Sequence, residues 1–167
     1  YNAFIKIRNR IEEAFATMDV YLKKRYDLVP NLVETVKGYA SHERESLTKV
    51  VEARNQALTS SQGPIDQRVK NEGQLTEALR GLLAIAENYP NLKADTQFLD
   101  LQQQLQKLEE DIAQSRKYYN AVVKTFNTKC EVFPSNLIAA IFNFSRREYF
   151  QVEDEKERAN VKVDFSH

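Results

Sequence analysis

The sequence has little of what most metal and cofactor chemistry requires. Its 167 residues include one cysteine, two histidines and no tryptophan. A single cysteine excludes an internal disulfide framework and any cysteine-rich zinc module. No glycine-rich phosphate loop, nucleophile elbow or paired-carboxylate motif is found along the chain. We therefore predict no catalytic residue, no metal site and no cofactor, and expect that the protein is not an enzyme.

An excess of charge and a long apolar run are also missing. The 24 basic residues are balanced by 24 acidic ones, so the formal net charge is zero. A dedicated nucleic-acid binder normally has a marked basic excess, and we expect no nucleic-acid partner. The sequence contains no stretch of 18 apolar residues, the length that a membrane-spanning helix requires. With 42% hydrophobic residues, the chain is nonetheless apolar enough to fold, and its length suits one domain.

Proline and glycine are scarce, with four residues of each. The prolines at 30, 64, 90 and 134 divide the chain, and the apolar spacing between them is helical throughout. Proline is disfavoured inside a helix and accepted in its first turn. We therefore predict long helices over about 2–25, 30–59, 64–88 and 94–132, with a turn at 26–31. Alternation of period two never persists, so no strand is expected.

The connections between these long helices are short, which favours antiparallel neighbours. The apolar register of the last helix runs from Phe98 to Phe133, which predicts that both are core residues. We predict an all-α, antiparallel up-down-up-down four-helix bundle. Residues 1–144 would form the bundle domain, including a short apolar helix at 135–144. Residues 145–167 would form a mostly extended tail packed on the bundle through its aromatic side chains.

A few polar residues have both a functional and a structural interpretation. Tyr119, Asn120 and Asn127 lie on or beside the apolar register. They would either hydrogen-bond a neighbouring segment or the tail, or line a ligand cavity between helices. His42 precedes Glu43, which gives at most one pair of metal ligands and is better explained as polar helix surface. Cys130 is expected to be a buried or partly buried structural residue.

Several motifs resemble the bacterial LemA family, and together they cover essentially the whole chain. One departure is Phe15, where the family commonly has tryptophan, and this change keeps an aromatic residue. The matching residues are Tyr1-Asn2, Arg8-Asn9, the run 25–40 (Arg-Tyr-Asp-Leu-Val-Pro-Asn-Leu-Val-Glu-Thr-Val-Lys-Gly-Tyr-Ala), His42-Glu43, the run 89–94, Tyr119-Asn120, Phe126-Asn127, the run 133–139 and the run 161–165.

The resemblance implies a bundle of long helices preceded by one transmembrane helix, absent from this chain, that ends directly before a Tyr-Asn pair. The protein would then be held in a bacterial cell membrane by a single-pass anchor. Lys6, Arg8 and Arg10 after that span favour the cytoplasmic face by the positive-inside rule, but charges before the span can reverse this orientation. The family offers no catalytic activity to transfer.

We expect a non-catalytic, membrane-tethered helical module that binds or scaffolds protein partners. Its candidate interaction surface consists of residues assigned to the turn after the first helix: Arg25, Tyr26, Asp27, Pro30 and Asn31. Exposed turn residues often carry function, but they equally serve to build the turn. Two alternatives remain: a ligand-sensing helical bundle and, with less support, a metal-dependent enzyme that uses His42.

Overall fold

The structure is a computed structural model, and it describes residues 1–151. Those residues form an all-α protein without a strand, as the sequence predicts. None of the helices in this range combines the length and apolar character needed to cross a membrane. The helices are α1 (Asn2–Tyr39), α2 (Arg44–Thr59), α3 (Ile65–Ile85), a 3₁₀ turn (Ala86–Asn88), α4 (Pro90–Lys93), α5 (Thr96–Glu131) and α6 (Ser135–Ile141).

Helix α1 does not stop at the predicted turn but continues through Pro30 to Tyr39. The turn expected at 26–31 is therefore wrong, and the chain reverses at residues 40–43 instead. Proline has no N–H, so the carbonyl four residues earlier, that of Tyr26, loses its usual helical donor. A continuous helix at this point requires another donor for that carbonyl.

Arg54 of α2 provides the missing donor. Its Nε donates to the carbonyl oxygen of Tyr26 at 2.7 Å. The hydrogen bond that Pro30 removes from α1 is thus replaced by one from a neighbouring helix. This substitution explains why the apolar face of α1 stays in register on both sides of the proline.

The described residues divide into two compact units. The first unit consists of residues 1–22 and 110–151, and the second of residues 23–109. Helices α1 and α5 are each divided between the two units. Helices α2, α3 and α4 belong to the second unit, and α6 belongs to the first.

In the second unit, polar contacts join α2 to α3 at the connection between them. The Asn71 amide donates to Ser60 Oγ at 2.9 Å and to the Gln56 carbonyl at 3.3 Å. Arg68 also donates to the Ser61 carbonyl at 2.9 Å. The core of this unit is largely aliphatic, with Tyr26 of α1 and Phe98 of α5 as buried aromatic side chains. Its fully buried aliphatic side chains are Leu32, Val36, Val50, Ala57, Leu75, Leu82 and Leu92.

The core of the first unit contains a cluster of aromatic rings beside its aliphatic side chains. The rings of Phe4 and Phe144 stack with centroids 4.8 Å apart, and Phe126 meets Phe4 edge-on at 5.9 Å. Phe15 packs edge-on against Tyr119 at 5.7 Å. These geometries are the ones that aromatic pairs prefer. Phe15 therefore has an aromatic packing partner, as expected for an aromatic residue at this position.

Two predictions at the end of the first unit are wrong. Helix α5 ends at Glu131, so Phe133 leaves the core register and is 78% exposed. Helix α6 ends at Ile141 and not at residue 144. Asn143 has a φ of 60°, the left-handed conformation that commonly ends helices. The Phe144 N–H then bonds back to the Ala139 carbonyl at 2.8 Å.

Residues 145–151 are the described part of the predicted tail, and they contain no helix. Within the first unit this segment is bonded to α5, and Phe150 is 3% exposed. Burial of this ring agrees with the expected role of aromatic residues as anchors. Tyr149 is half-buried, whereas Phe165 lies outside the described residues.

Candidate functional site

The five residues predicted to form an interaction surface lie on α1 and point in two directions. Arg25 and Tyr26 are each 1% exposed, so the exposed chemistry expected of them is wrong. Asp27, Pro30 and Asn31 are exposed, as predicted, but on a helix and not in a turn. Because all five lie on one continuous helix, the two buried residues face the interior of the second unit and the three exposed residues face outward.

Arg25 is the centre of a buried charge network within the second unit. Its guanidinium bonds Glu72 Oε2 at 2.5 Å, Glu109 Oε1 at 2.9 Å and Thr76 Oγ1 at 2.8 Å. It also donates to the Glu72 carbonyl at 3.3 Å. Glu72 and Thr76 come from α3 and Glu109 from α5. One side chain of α1 therefore joins two other helices, as the planar fork of arginine allows.

Tyr26 completes the network from the adjacent position of α1. Its hydroxyl donates to Glu72 Oε1, so the two carboxylate oxygens of Glu72 have different donors. The Glu72 side chain is 5% exposed, whereas that of Glu109 is 34% exposed. Glu72 is thus a buried carboxylate whose charge is balanced by Arg25 and whose second oxygen is satisfied by Tyr26.

The pKa values of both α1 residues follow from this arrangement. Burial alone would lower the pKa of Arg25, but the carboxylates of Glu109 and Glu72 outweigh it and raise that pKa. Burial, followed by the Glu72 carboxylate, raises the pKa of Tyr26 above its ordinary value of 10.0. A raised pKa means that the stabilisation by the neutral hydroxyl is complete below pH 10 and is lost as pH rises further.

The network is suited to holding helices in place. Its charged groups are engaged with one another, and the donors of the guanidinium point at oxygens of α3 and α5. Among the side chains of this network, Arg25 Nε is a buried donor that has no acceptor within the described residues. A buried ion pair adds little net stability compared with an apolar core, but it penalises every packing that separates its members.

The exposed residues of α1 form a separate feature, which we call the polar stripe. Asp27, Pro30, Asn31 and Glu34 are all exposed, and the adjacent pair Pro30-Asn31 lies three and four residues from both Asp27 and Glu34. Such spacing places them on one face of the helix. The carbonyl of Asn31 accepts a bond from Thr35 Oγ1 at 2.9 Å, while the side chain of Asn31 remains exposed. The stripe is therefore what the structure retains of the predicted interaction surface.

Asn120 and Asn127 bond the tail segment, as one of their two interpretations predicts. The Asn127 amide donates to the Arg147 carbonyl at 3.0 Å and accepts from the Arg147 N–H at 2.8 Å. Asn120 makes the same pair with Phe150, at 2.9 and 2.8 Å. The Tyr119 hydroxyl donates to the Glu148 carbonyl at 3.1 Å. Groups proposed to line a ligand cavity thus bind the chain's own backbone.

The remaining candidate residues lie apart from these features. His42 is exposed in the loop after α1, and Glu43 accepts a bond from the Tyr89 hydroxyl at 3.1 Å. Within residues 1–151, no group of three or more His, Cys, Asp or Glu side chains is placed to hold a metal ion. Cys130 is half-buried, and burial raises the pKa of its thiol. A raised pKa lowers thiolate reactivity, as expected for a structural cysteine.

Sequence reasoning missed Arg54, Glu72 and Glu109, although two of them left a signal. Glu72 lies between Val69 and Leu79 at the spacing of an apolar helix face, where a charge predicts a buried partner. Arg54 interrupts the apolar face of α2 in the same way. Glu109 belongs to an acidic run and had no such signal.

Comparison with known proteins identifies the family of this chain. The family model of the LemA family matches residues 14–165. The chain belongs to the LemA family, and the resemblance drawn from its sequence motifs is confirmed.

Three relatives illustrate the range of the family. Magnetosome protein MamQ 2 of Paramagnetospirillum magneticum is 25% identical over 175 residues, covering 90% of this chain. MamQ of Magnetospirillum gryphiswaldense is 25% identical over 174 residues. Protein LemA of Metamycoplasma hominis is 26% identical over 161 residues, covering 96% of this chain and 72% of the relative. The chain spans only 64% of the length of the MamQ relatives.

Proposed function

We propose that the protein is a non-catalytic, membrane-tethered helical module that binds or scaffolds protein partners through the polar stripe. The observation that carries the proposal is Pro30, exposed in the interior of α1 with Arg54 bonded to the carbonyl it leaves without a helical donor. Proline in a helix interior costs about 3 kcal/mol relative to alanine. Because Pro30 is exposed, core packing does not explain a proline at this position, and we assign it a role in the interaction surface.

The charge network supports the same assignment. Arg25, Tyr26 and Glu72 fix α1 against α3 from the face opposite the polar stripe. A surface held by buried, specific hydrogen bonds is preorganised, which reduces the entropy lost when a partner binds. The MamQ relatives are named for the magnetosome and not for a reaction, which agrees with a role in assembly.

Two finer features belong to the proposal. We place the long helices in an up-down-up-down four-helix bundle, because short connections join them along the chain. We also place a single-pass anchor before this chain, which would hold the module at a bacterial cell membrane, with the positive-inside rule favouring the cytoplasmic face. No nucleic-acid partner is proposed.

Site-specific photocrosslinking in the full-length protein tests the polar stripe. A photoreactive amino acid is introduced at Asn31 or Glu34, and at the exposed control positions Gln67 on α3 and Gln103 on α5. Adducts in bacterial membranes are then compared between positions. We expect stripe positions to give discrete protein adducts several-fold above the controls. Equal yields at all four positions, or none at any of them, would contradict the proposal.

A double substitution tests whether the adducts depend on the side chains of the polar stripe. The double substitution Asp27→Ala/Asn31→Ala removes two exposed side chains, and surface changes of this kind usually alter stability by less than about 0.5 kcal/mol each. With the photoreactive residue at Glu34, this variant should lose the adduct while keeping its thermal unfolding midpoint. Retention of the adduct would mean that the partner does not read the stripe.

A further inference from the structure

One end of the first unit carries an unusual concentration of exposed apolar side chains, which we call the apolar end patch. Within residues 1–151, half of the twelve large hydrophobic side chains that are exposed lie at residue 1 or between 132 and 142. The patch consists of Tyr1 (53% exposed), Val132 (47%), Phe133 (78%), Leu137 (54%), Ile141 (75%) and Phe142 (51%).

The members of the patch are neighbours in space. The Tyr1 ring lies on that of Phe142, with centroids 4.6 Å apart. Leu137 and Ile141 are four residues apart on α6 and share one helical face. Val132 and Phe133 directly precede α6, where the Val132 carbonyl accepts the Asn136 N–H at 2.8 Å. Several exposed apolar side chains gathered around one short helix indicate an interaction site.

Basic residues accompany the patch. Residues 1–11 and 124–148, which contain it, hold seven Lys or Arg and two Asp or Glu, in a chain of zero net charge. One of the two acids, Glu131, is paired with Arg146 at 3.0 Å. Lys6 and Arg10 are exposed on α1, and Arg8 lies 5.8 Å from the centre of the Phe144 ring. The apolar side chains therefore have positive charge on the adjoining surface.

This combination decides between classes of partner. The centres of protein interfaces are depleted in lysine and in charged residues generally. Surfaces that lie in a bilayer interface combine exposed aromatic and aliphatic side chains with flanking Lys and Arg, which attract anionic headgroups. Tyrosine, which the patch contributes at Tyr1, is also favoured at that depth.

We propose that the apolar end patch inserts into the surface of an anionic lipid bilayer, with its apolar side chains at the acyl boundary and the neighbouring cations on lipid headgroups. This contact goes beyond the proposed scaffold function, because it uses a different surface from the polar stripe. It also does not depend on a preceding anchor, since the patch itself supplies the apolar surface and the charge.

The absence of tryptophan allows a direct test. The 167-residue chain with Phe133→Trp has one tryptophan in the patch, and Leu99→Trp places one at an exposed position of α5 in the second unit. Each is titrated with vesicles of phosphatidylcholine containing about a quarter phosphatidylglycerol. We expect a blue shift and quenching by brominated lipid at position 133 but not at position 99. No shift at position 133 overturns the proposal.

Matched substitutions separate the apolar and electrostatic contributions. Phe133→Ser/Ile141→Ser should lower vesicle partitioning by about tenfold or more, whereas the control Val51→Ser/Leu99→Ser, also exposed, should not. Removal of phosphatidylglycerol or addition of salt should also weaken binding. Full binding by Phe133→Ser/Ile141→Ser overturns the proposal. So does vesicle-independent dimerisation that this variant abolishes, which would make the patch an interface between two copies.

Discussion

Arg25 and Glu72 form a buried ion pair in which each group depends on the other for solvation. The guanidinium is 1% exposed and the carboxylate 5% exposed, so neither has water to replace a lost partner. Removal of one member of such a pair typically costs about 3–5 kcal/mol, because an uncompensated charge stays buried. An exposed pair such as Arg80 with Glu77 contributes at most about 1 kcal/mol.

We therefore predict that Arg25→Met lowers the free energy of unfolding by about 3–5 kcal/mol. Adding Glu72→Leu should restore much of this loss, because the second change removes the stranded carboxylate. Urea denaturation of the two single variants and the double variant measures the coupling. Arg80→Met is the control and should change stability by less than about 1 kcal/mol. Additive losses at Arg25 and Glu72 would show that the pair does not act as a unit.

The sequence identified Arg25 and Tyr26 only as part of a family-like run, and it assigned them to the wrong environment. Their burial depends on Glu72 and Glu109, which are 47 and 84 residues away from Arg25. Local sequence patterns do not report such distant partners. By contrast, one of the two interpretations of Asn120 and Asn127, a hydrogen bond to the tail, is confirmed, and their position beside the apolar face of α5 had suggested it.

The continuity of α1 shows what a helical register can predict across a proline. Spacings of four and three residues run without interruption from Phe4 through Leu22, Arg25 and Val29 to Val36. This register crosses the position of Pro30 and was the available sign that one helix, not two, occupies residues 2–39. The prediction instead ended the helix before Pro30, because the sequence near the proline does not show that Arg54 of α2 replaces the lost hydrogen bond.

We predict that Pro30 and Arg54 are energetically coupled through the Tyr26 carbonyl. Arg54→Met should cost about 1–3 kcal/mol in the wild-type background, because it leaves a helix carbonyl without a donor. In a Pro30→Ala background the new N–H of residue 30 supplies that donor, so the same change should cost clearly less. Thermal or chemical unfolding of the four proteins completes the cycle.

Arg44→Met provides the comparison, since Arg44 is exposed at the start of the same helix. Its effect should be small and equal in both backgrounds. An Arg54→Met cost that is the same with proline and with alanine at position 30 would mean that the arginine acts elsewhere.

A formal charge of zero for the whole molecule conceals an uneven distribution. Residues 1–11 and 124–148 carry seven basic and two acidic side chains, which leaves 17 basic and 22 acidic side chains in the rest of the sequence. The net charge is the reason why we expect no nucleic-acid partner. The net charge could not reveal a local positive surface, because that surface combines two segments of the first unit, residues 1–11 and 124–148, that are far apart in the sequence.

We predict that the protein is retained on a cation exchanger at pH 7 and low salt, although its formal net charge is zero. Screening should release it as ionic strength approaches about 0.15 M, where the Debye length is about 8 Å. Lys6→Gln/Arg10→Gln should elute earlier than the wild type. Lys49→Gln/Lys70→Gln makes the same change in net charge at exposed sites of the second unit. Equal elution of the two variants would argue against a localised positive surface.

The paired amide bonds of Asn120 and Asn127 act as a ruler for the tail. Seven residues of helix rise about 10.5 Å, and the three residues from Arg147 to Phe150 span about 10 Å when extended. The two spacings match, and in the tail both asparagines hydrogen-bond only main-chain groups. The exposed side chain of Glu148, between these two contacts, is therefore free to vary without moving the segment. A single residue inserted between 147 and 150 would leave one asparagine without its partner.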